Sequence, residues 1–107
     1  MIENFNIYQK EALKTAINIS LQNGVMGLCG EAGECIEVVK KHLFQNKDLD
    51  INKIVEEVGD CLWYIAIIAE SIGVSMEEIA TKNIKKLQKR YNKDDVDSIT
   101  VSDILYY

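Results

Sequence analysis

Two pairs of carboxylates are the residues in this sequence best placed to do chemistry. Glu31 and Glu34 lie within Gly30-Glu31-Ala32-Gly33-Glu34, and Glu57 and Asp60 within Glu56-Glu57-Val58-Gly59-Asp60. On a helix, i, i+3 spacing sets both acids of a pair on one face, about 5–6 Å apart at Cβ. Each pair encloses a glycine, Gly33 or Gly59, so nothing bulky stands beside the acids. If the two helices pack together, the four acids converge. Two unit charges about 4 Å apart then repel by about 4 kcal/mol at an effective dielectric of about 20. No basic residue is interleaved with either pair, so a divalent cation is the simplest compensation. A site of carboxylate oxygens without histidine or cysteine suits magnesium, or manganese, over zinc. The plainer alternative is that each pair faces water, as most helical acids do. Composition and spacing alone leave the two readings level.

The elements that must carry these acids are helical by periodicity. The first expected helix covers 6–19, with Ile7, Ala12, Leu13, Ala16 and Ile17 as its apolar or small positions. The third covers 52–72, with Ile54, Val55, Val58, Cys61, Leu62, Ile65, Ile68 and Ile72 mostly at steps of three and four. From 61 to 69 it is apolar nearly all round, so more than one side must be covered, in a bundle or a subunit interface. The fourth starts at a capping box, Ser75-Met76-Glu77-Glu78, with Val74 and Ile79 as a hydrophobic staple, and runs to 91. Gly73 is a natural terminator for the third. The second is harder to read. Gly24, Gly27, Gly30 and Gly33 each cost about 1 kcal/mol against alanine within a helix. Yet Leu28, Ala32, Cys35, Val39 and Leu43 keep helical steps, so a helix is expected over 21–44, its glycines forming a small-residue stripe that lets a backbone or a ligand come close. The stretch 45–48 is the loop between the second and third helices. The expected fold is all-α, a four-helix bundle-like protomer with antiparallel neighbours.

Composition narrows the function classes. The chain has 107 residues, 48% hydrophobic and 27% charged, with no proline, which excludes a disordered or proline-rich sequence. A net charge of −5 argues against general affinity for nucleic acid. Cys29, Cys35 and Cys61 form no C-x-x-C pair, which argues for a reducing compartment over a disulfide or zinc framework. The first residues do not form a signal peptide, and the run 61–69 is too short to span a bilayer. A soluble, cytoplasmic domain is expected.

Gly27-Leu28-Cys29-Gly30-Glu31-Ala32-Gly33-Glu34, followed by Glu56-Glu57-Val58-Gly59-Asp60-Cys61-Leu62-Trp63-Tyr64, resembles the MazG family of nucleotide pyrophosphohydrolases. Asn83-Ile84-Lys85-Lys86-Leu87-Gln88-Lys89-Arg90-Tyr91 resembles the end of its last helix and Ile7-Tyr8-Gln9 its opening, so the likeness covers 7–91. The resemblance implies an all-α enzyme that cleaves nucleoside triphosphates to the monophosphate and pyrophosphate with magnesium. It matches Glu31, Glu34, Glu57 and Asp60 to metal-binding acids, Asn83 and Lys86 to phosphate contacts, and Tyr64 to a position near the nucleotide. Glu34 or Glu31 would be the general base. It also implies homodimers or dimers of dimers, with active sites between helices of neighbouring subunits. The expected domain is 1–93. The tail 94–107 matches nothing recognised, and its apolar end argues that it packs on the domain or an interface.

Other chemically tempting residues have simpler explanations. His42 suits helix-end capping, and no Glu-x-x-His motif supports a di-iron site. The cysteines read as small core residues. Trp63 reads as a core aromatic, whereas Tyr64 fits the core and a base-stacking role equally. The basic run Lys85, Lys86, Lys89 and Arg90 reads as a solvated face with one or two phosphate-facing members. Two alternatives to the leading reading remain: a hydrolase for a modified nucleotide, and a non-catalytic helical assembly or regulatory module.

Overall fold

The computed structural model describes residues 1–91, which form four helices: α1 (Phe5–Leu13), α2 (Leu21–Phe44), α3 (Ile51–Ser71) and α4 (Met76–Arg90). Each begins on a side chain that satisfies a free backbone N–H of the first turn. Asn4 accepts from Ile7 N at 2.9 Å, Ser20 from Asn23 N at 3.2 Å, Asp50 from Lys53 N at 3.0 Å and Ser75 from Glu78 N at 3.1 Å. The Glu78 carboxylate turns instead to Lys82, 3.4 Å away. Gly73 ends the α3 region at φ 77°, a left-handed conformation that glycine adopts without penalty.

The first helix is shorter than its periodicity predicts. Thr15 N and Thr15 Oγ1 both donate to Ala12 O, and Ala16 N donates to Leu13 O, so three-residue turns close α1. The chain must then extend to bring Ser20 into its cap conformation at φ −143°. Ile17 consequently points into solvent instead of joining an apolar face.

α2 and α3 form an antiparallel pair whose register is set by glycine. A Cβ on Gly24 would stand 2.7 Å from Ile68 Cγ1, and one on Gly27 would run into the Tyr64 ring. These two glycines let the helices approach closely. Gly30, Gly33 and Gly59 have open space beside them. The core lies where α1, the second half of α3 and the start of α4 meet, around Ala12, Ala66, Ala69 and Met76. Tyr8, Leu62, Trp63, Ile65 and Val74 pack against it. Buried Gln9 pins this junction, accepting from Met76 N at 2.7 Å and donating to Val74 O at 3.2 Å. α4 leaves α3 at 98° and packs on α1 and α3. Among the described residues α2 packs on α3 alone. No single helix among them is long and apolar enough to cross a membrane. The tail 94–107 lies outside the described residues.

Candidate metal centre

The antiparallel register carries Glu31 of α2 across to Glu57 and Asp60 of α3. One carboxylate oxygen from each of the three lies within 4.8 Å of the others. Glu57 is 2% exposed although it is charged, and Glu31 is half-buried. With both carboxyls ionised, Glu31 Oε2 and Glu57 Oε2 are buried and meet no donor in the protein. Buried carboxylate oxygens in that condition are costly unless something positive or a proton meets them. The Glu31 carboxyl is pushed up to about 7, by a hydrogen bond with Glu57, by burial, and by the charges of Glu34, Asp60 and Glu57. Glu57 shifts the opposite way, held below its ordinary value by that same bond, by the Lys53 ammonium and, to a smaller extent, by the Glu34 carboxyl. Three clustered oxygen donors, two of them with an oxygen awaiting a partner, fit a hard divalent cation.

Glu34 stands one turn beyond Glu31 and is exposed, outside the cluster of three. It lines a groove of about 500 Å³ together with Glu57, Lys53, Lys41 and Lys47. The structure therefore brings three of the four expected acids together, with Glu34 on the rim and within reach of Glu57.

One sequence inference needs correction. Lys53 lies one turn before Glu57 on α3, and its Nζ is 3.1 Å from Glu57 Oε1. The cluster does have a basic neighbour. Its signal was the i, i+4 step from Lys53 to Glu57, which places the two side chains together on one helix face.

Tyr64 is half-buried over Gly27 and meets Trp63 edge-on, with ring centroids 5.1 Å apart at 87°. Trp63 Nε1 donates to Thr15 Oγ1 at 2.9 Å, tying α3 to the turn after α1. Asn83 and Lys86 are exposed on α4. Asp60 stands eleven residues before the end of α3 and Asn83 seven residues into α4, and the two helices cross at 98°. At about 1.5 Å per residue that separates them by about 20 Å. Along that path Asn83 and Lys86 stand well apart from the acids of their own protomer. His42 Nδ1 lies 2.7 Å from Lys47 O and fastens the loop after α2. Cys35 and Cys61 are half-buried, whereas Cys29 is exposed and not a core residue. Burial, and then neighbouring Cys35, raises the Cys61 thiol.

An all-α chain with acids paired in this way across adjacent helices is the setting in which the family likeness can be judged. The model of the MazG nucleotide pyrophosphohydrolase domain matches residues 20–94, and the chain belongs to that family. The match takes in α2, α3 and α4 and omits α1. Among relatives, the chain is 34% identical to the Gene 37 protein of Mycobacterium phage L5 over 102 residues, covering 82% of this chain and 89% of that protein. It is also 41% identical to the uncharacterized protein YvdC of Bacillus subtilis (strain 168) over 39 residues, 36% of this chain and 37% of that one. No solved structure is a significant match.

Proposed function

We propose that the chain is a magnesium-dependent nucleoside triphosphate pyrophosphohydrolase, releasing the monophosphate and pyrophosphate by attack of water at the α-phosphate. The observation that carries this reading is the convergence of Glu31, Glu57 and Asp60, two of them with a buried unpartnered oxygen, in a member of this family. These three residues hold magnesium, or manganese in its place. When bound, the ion screens the polyphosphate charge and polarises the phosphorus–oxygen bonds. Glu34, outside the cluster and open to the groove, is the acid free to accept a proton from the attacking water. Tyr64, one turn beyond Asp60, borders the nucleotide. Asn83 and Lys86 bind the phosphates from α4 of a neighbouring subunit, since about 20 Å of backbone at about 1.5 Å per residue separates them from the acids of their own chain. The working unit is accordingly a homodimer or a dimer of dimers.

The test is pyrophosphate release from a panel of ribo- and deoxyribonucleoside triphosphates, with magnesium and with chelator. Magnesium-dependent monophosphate plus pyrophosphate is expected. Glu34→Gln should retain its helical circular dichroism and lose about 10²- to 10⁴-fold in kcat, the usual worth of a positioned proton acceptor. Release of single phosphate would overturn the bond assignment. Silence across the panel by folded protein would favour a modified nucleotide or a non-catalytic module.

A further inference from the structure

Three clustered carboxylates call for positive charge, and the chain carries some of its own. The Lys53 ammonium lies 3.1 Å from Glu57 Oε1 and 3.7 Å from Glu56 Oε2. Among the described residues it is the cation paired with buried Glu57. Its compensation is one-sided, since Glu57 Oε2 and Glu31 Oε2 stay buried and unpartnered. A divalent cation on the cluster would share the Glu57 carboxyl with this ammonium, and like charges at that range repel. Lys53 has somewhere to go. Its side chain is 46% exposed, on a flexible stem, and it lines the groove, so it can turn out to water.

We propose that Lys53 is the resident counter-ion of this cluster: it holds Glu57 in the cation-free protein and is driven off into solvent when a divalent cation binds Glu31, Glu57 and Asp60. The inference rests on the cation site of the proposed function and adds what sets that site's affinity, namely competition with the chain's own ammonium. Two effects follow by linkage. Removing the competitor tightens cation binding, and it destabilises the cation-free fold, which is left with an uncompensated buried carboxylate. Lys53→Met keeps most of the stem without the charge, and Lys53→Arg keeps the charge.

The experiment is titration of the full chain with Mn²⁺, read by the loss of the free-ion electron paramagnetic resonance signal, for wild type, Lys53→Met and Lys53→Arg. Melting in chelator and in saturating Mg²⁺ accompanies it. Lys53→Met should bind Mn²⁺ about fivefold more tightly than wild type, at the low end of ordinary site–site coupling, while Lys53→Arg stays near wild type. Lys53→Met should also melt lower in chelator and gain more from Mg²⁺ than wild type does. If wild type binds and folded Lys53→Met binds no more tightly, the counter-ion role is overturned while the cation site stands. If neither protein binds Mn²⁺, the cation site fails and the counter-ion role with it.

Discussion

Glu31 and Glu57 meet across the α2–α3 interface, and without a cation they relieve their repulsion by keeping a proton between them. Glu31 holds that proton up to about 7, against 4.5 for an ordinary glutamate. The sign for stability follows directly. Between about pH 4.5 and 7 the folded chain binds a proton that the unfolded chain has released, so the cation-free fold loses stability as pH rises through that window. Glu57, shifted downward, acts the other way at lower pH: its contribution is present above 4.5 and lost as pH falls. On the proposed reading a divalent cation would take the place of the proton, so its binding should release protons below about pH 7 and strengthen as pH rises. The expected outcome is a melting temperature in chelator that declines from about pH 5 to 8, and a magnesium-induced gain that grows over the same range. Calorimetry in paired buffers checks both. At this scale the sequence was partly legible. Spacing revealed which acids share a helix face, but whether Glu34 joins Glu31 in the cluster depends on how the two helices cross, and no spacing rule contains that.

The helices themselves were largely legible, because hydrophobic steps and side-chain caps are local signals. α2 occupies the expected span despite its four glycines. The reason divides those glycines into two groups. Gly24 and Gly27 receive α3, whose close packing offsets their poor helix propensity, while Gly30 has open space beside it. Gly27→Ala must displace the Tyr64 ring and should cost about 1–3 kcal/mol, as overpacking does. Gly30→Ala meets nothing and should stabilise by up to about 1 kcal/mol. Urea unfolding of the two variants tests the division, and equal effects would refute it. α1 ends before its apolar periodicity does because Thr15 closes it through its own hydroxyl, a contact that hydrophobic spacing does not register. Gln9 was legible only as part of a resemblance, since its work is tertiary. Gln9→Ala leaves Met76 N–H buried without a partner and should cost about 1–3 kcal/mol. That loss should free α4 before it unfolds α2 and α3, a sequence that hydrogen exchange resolves residue by residue.

At the scale of the whole molecule, the described residues leave an apolar face uncovered, and the proposed function would need a second copy to complete its site. Val25, Met26, Ile36, Val39, Leu43 and Phe44 of α2 are exposed, as are Ile51, Val55 and Val58 of α3. A second copy packed on this face would take that apolar area out of water. The same protomer holds its carboxylates about 20 Å from the Asn83 and Lys86 region, taking about 1.5 Å per residue along helices that cross at 98°. One event answers both deficits if a second copy covers the apolar face and delivers its α4 to the acids. This makes a prediction that dimerisation alone does not. Glu57→Gln and Lys86→Ala should each be inactive when pure. Unfolded together and refolded as a mixture, they should recover about a quarter of wild-type activity, because in a two-fold dimer half the molecules are mixed and each has one intact site. A site built within one chain would leave every chain defective and the mixture as inactive as its parents. Leu43→Asp, placed on the exposed apolar face, should lower the mass observed by light scattering and abolish pyrophosphate release together. Release by a fully monomeric Leu43→Asp variant would show that the acids are served from within their own chain.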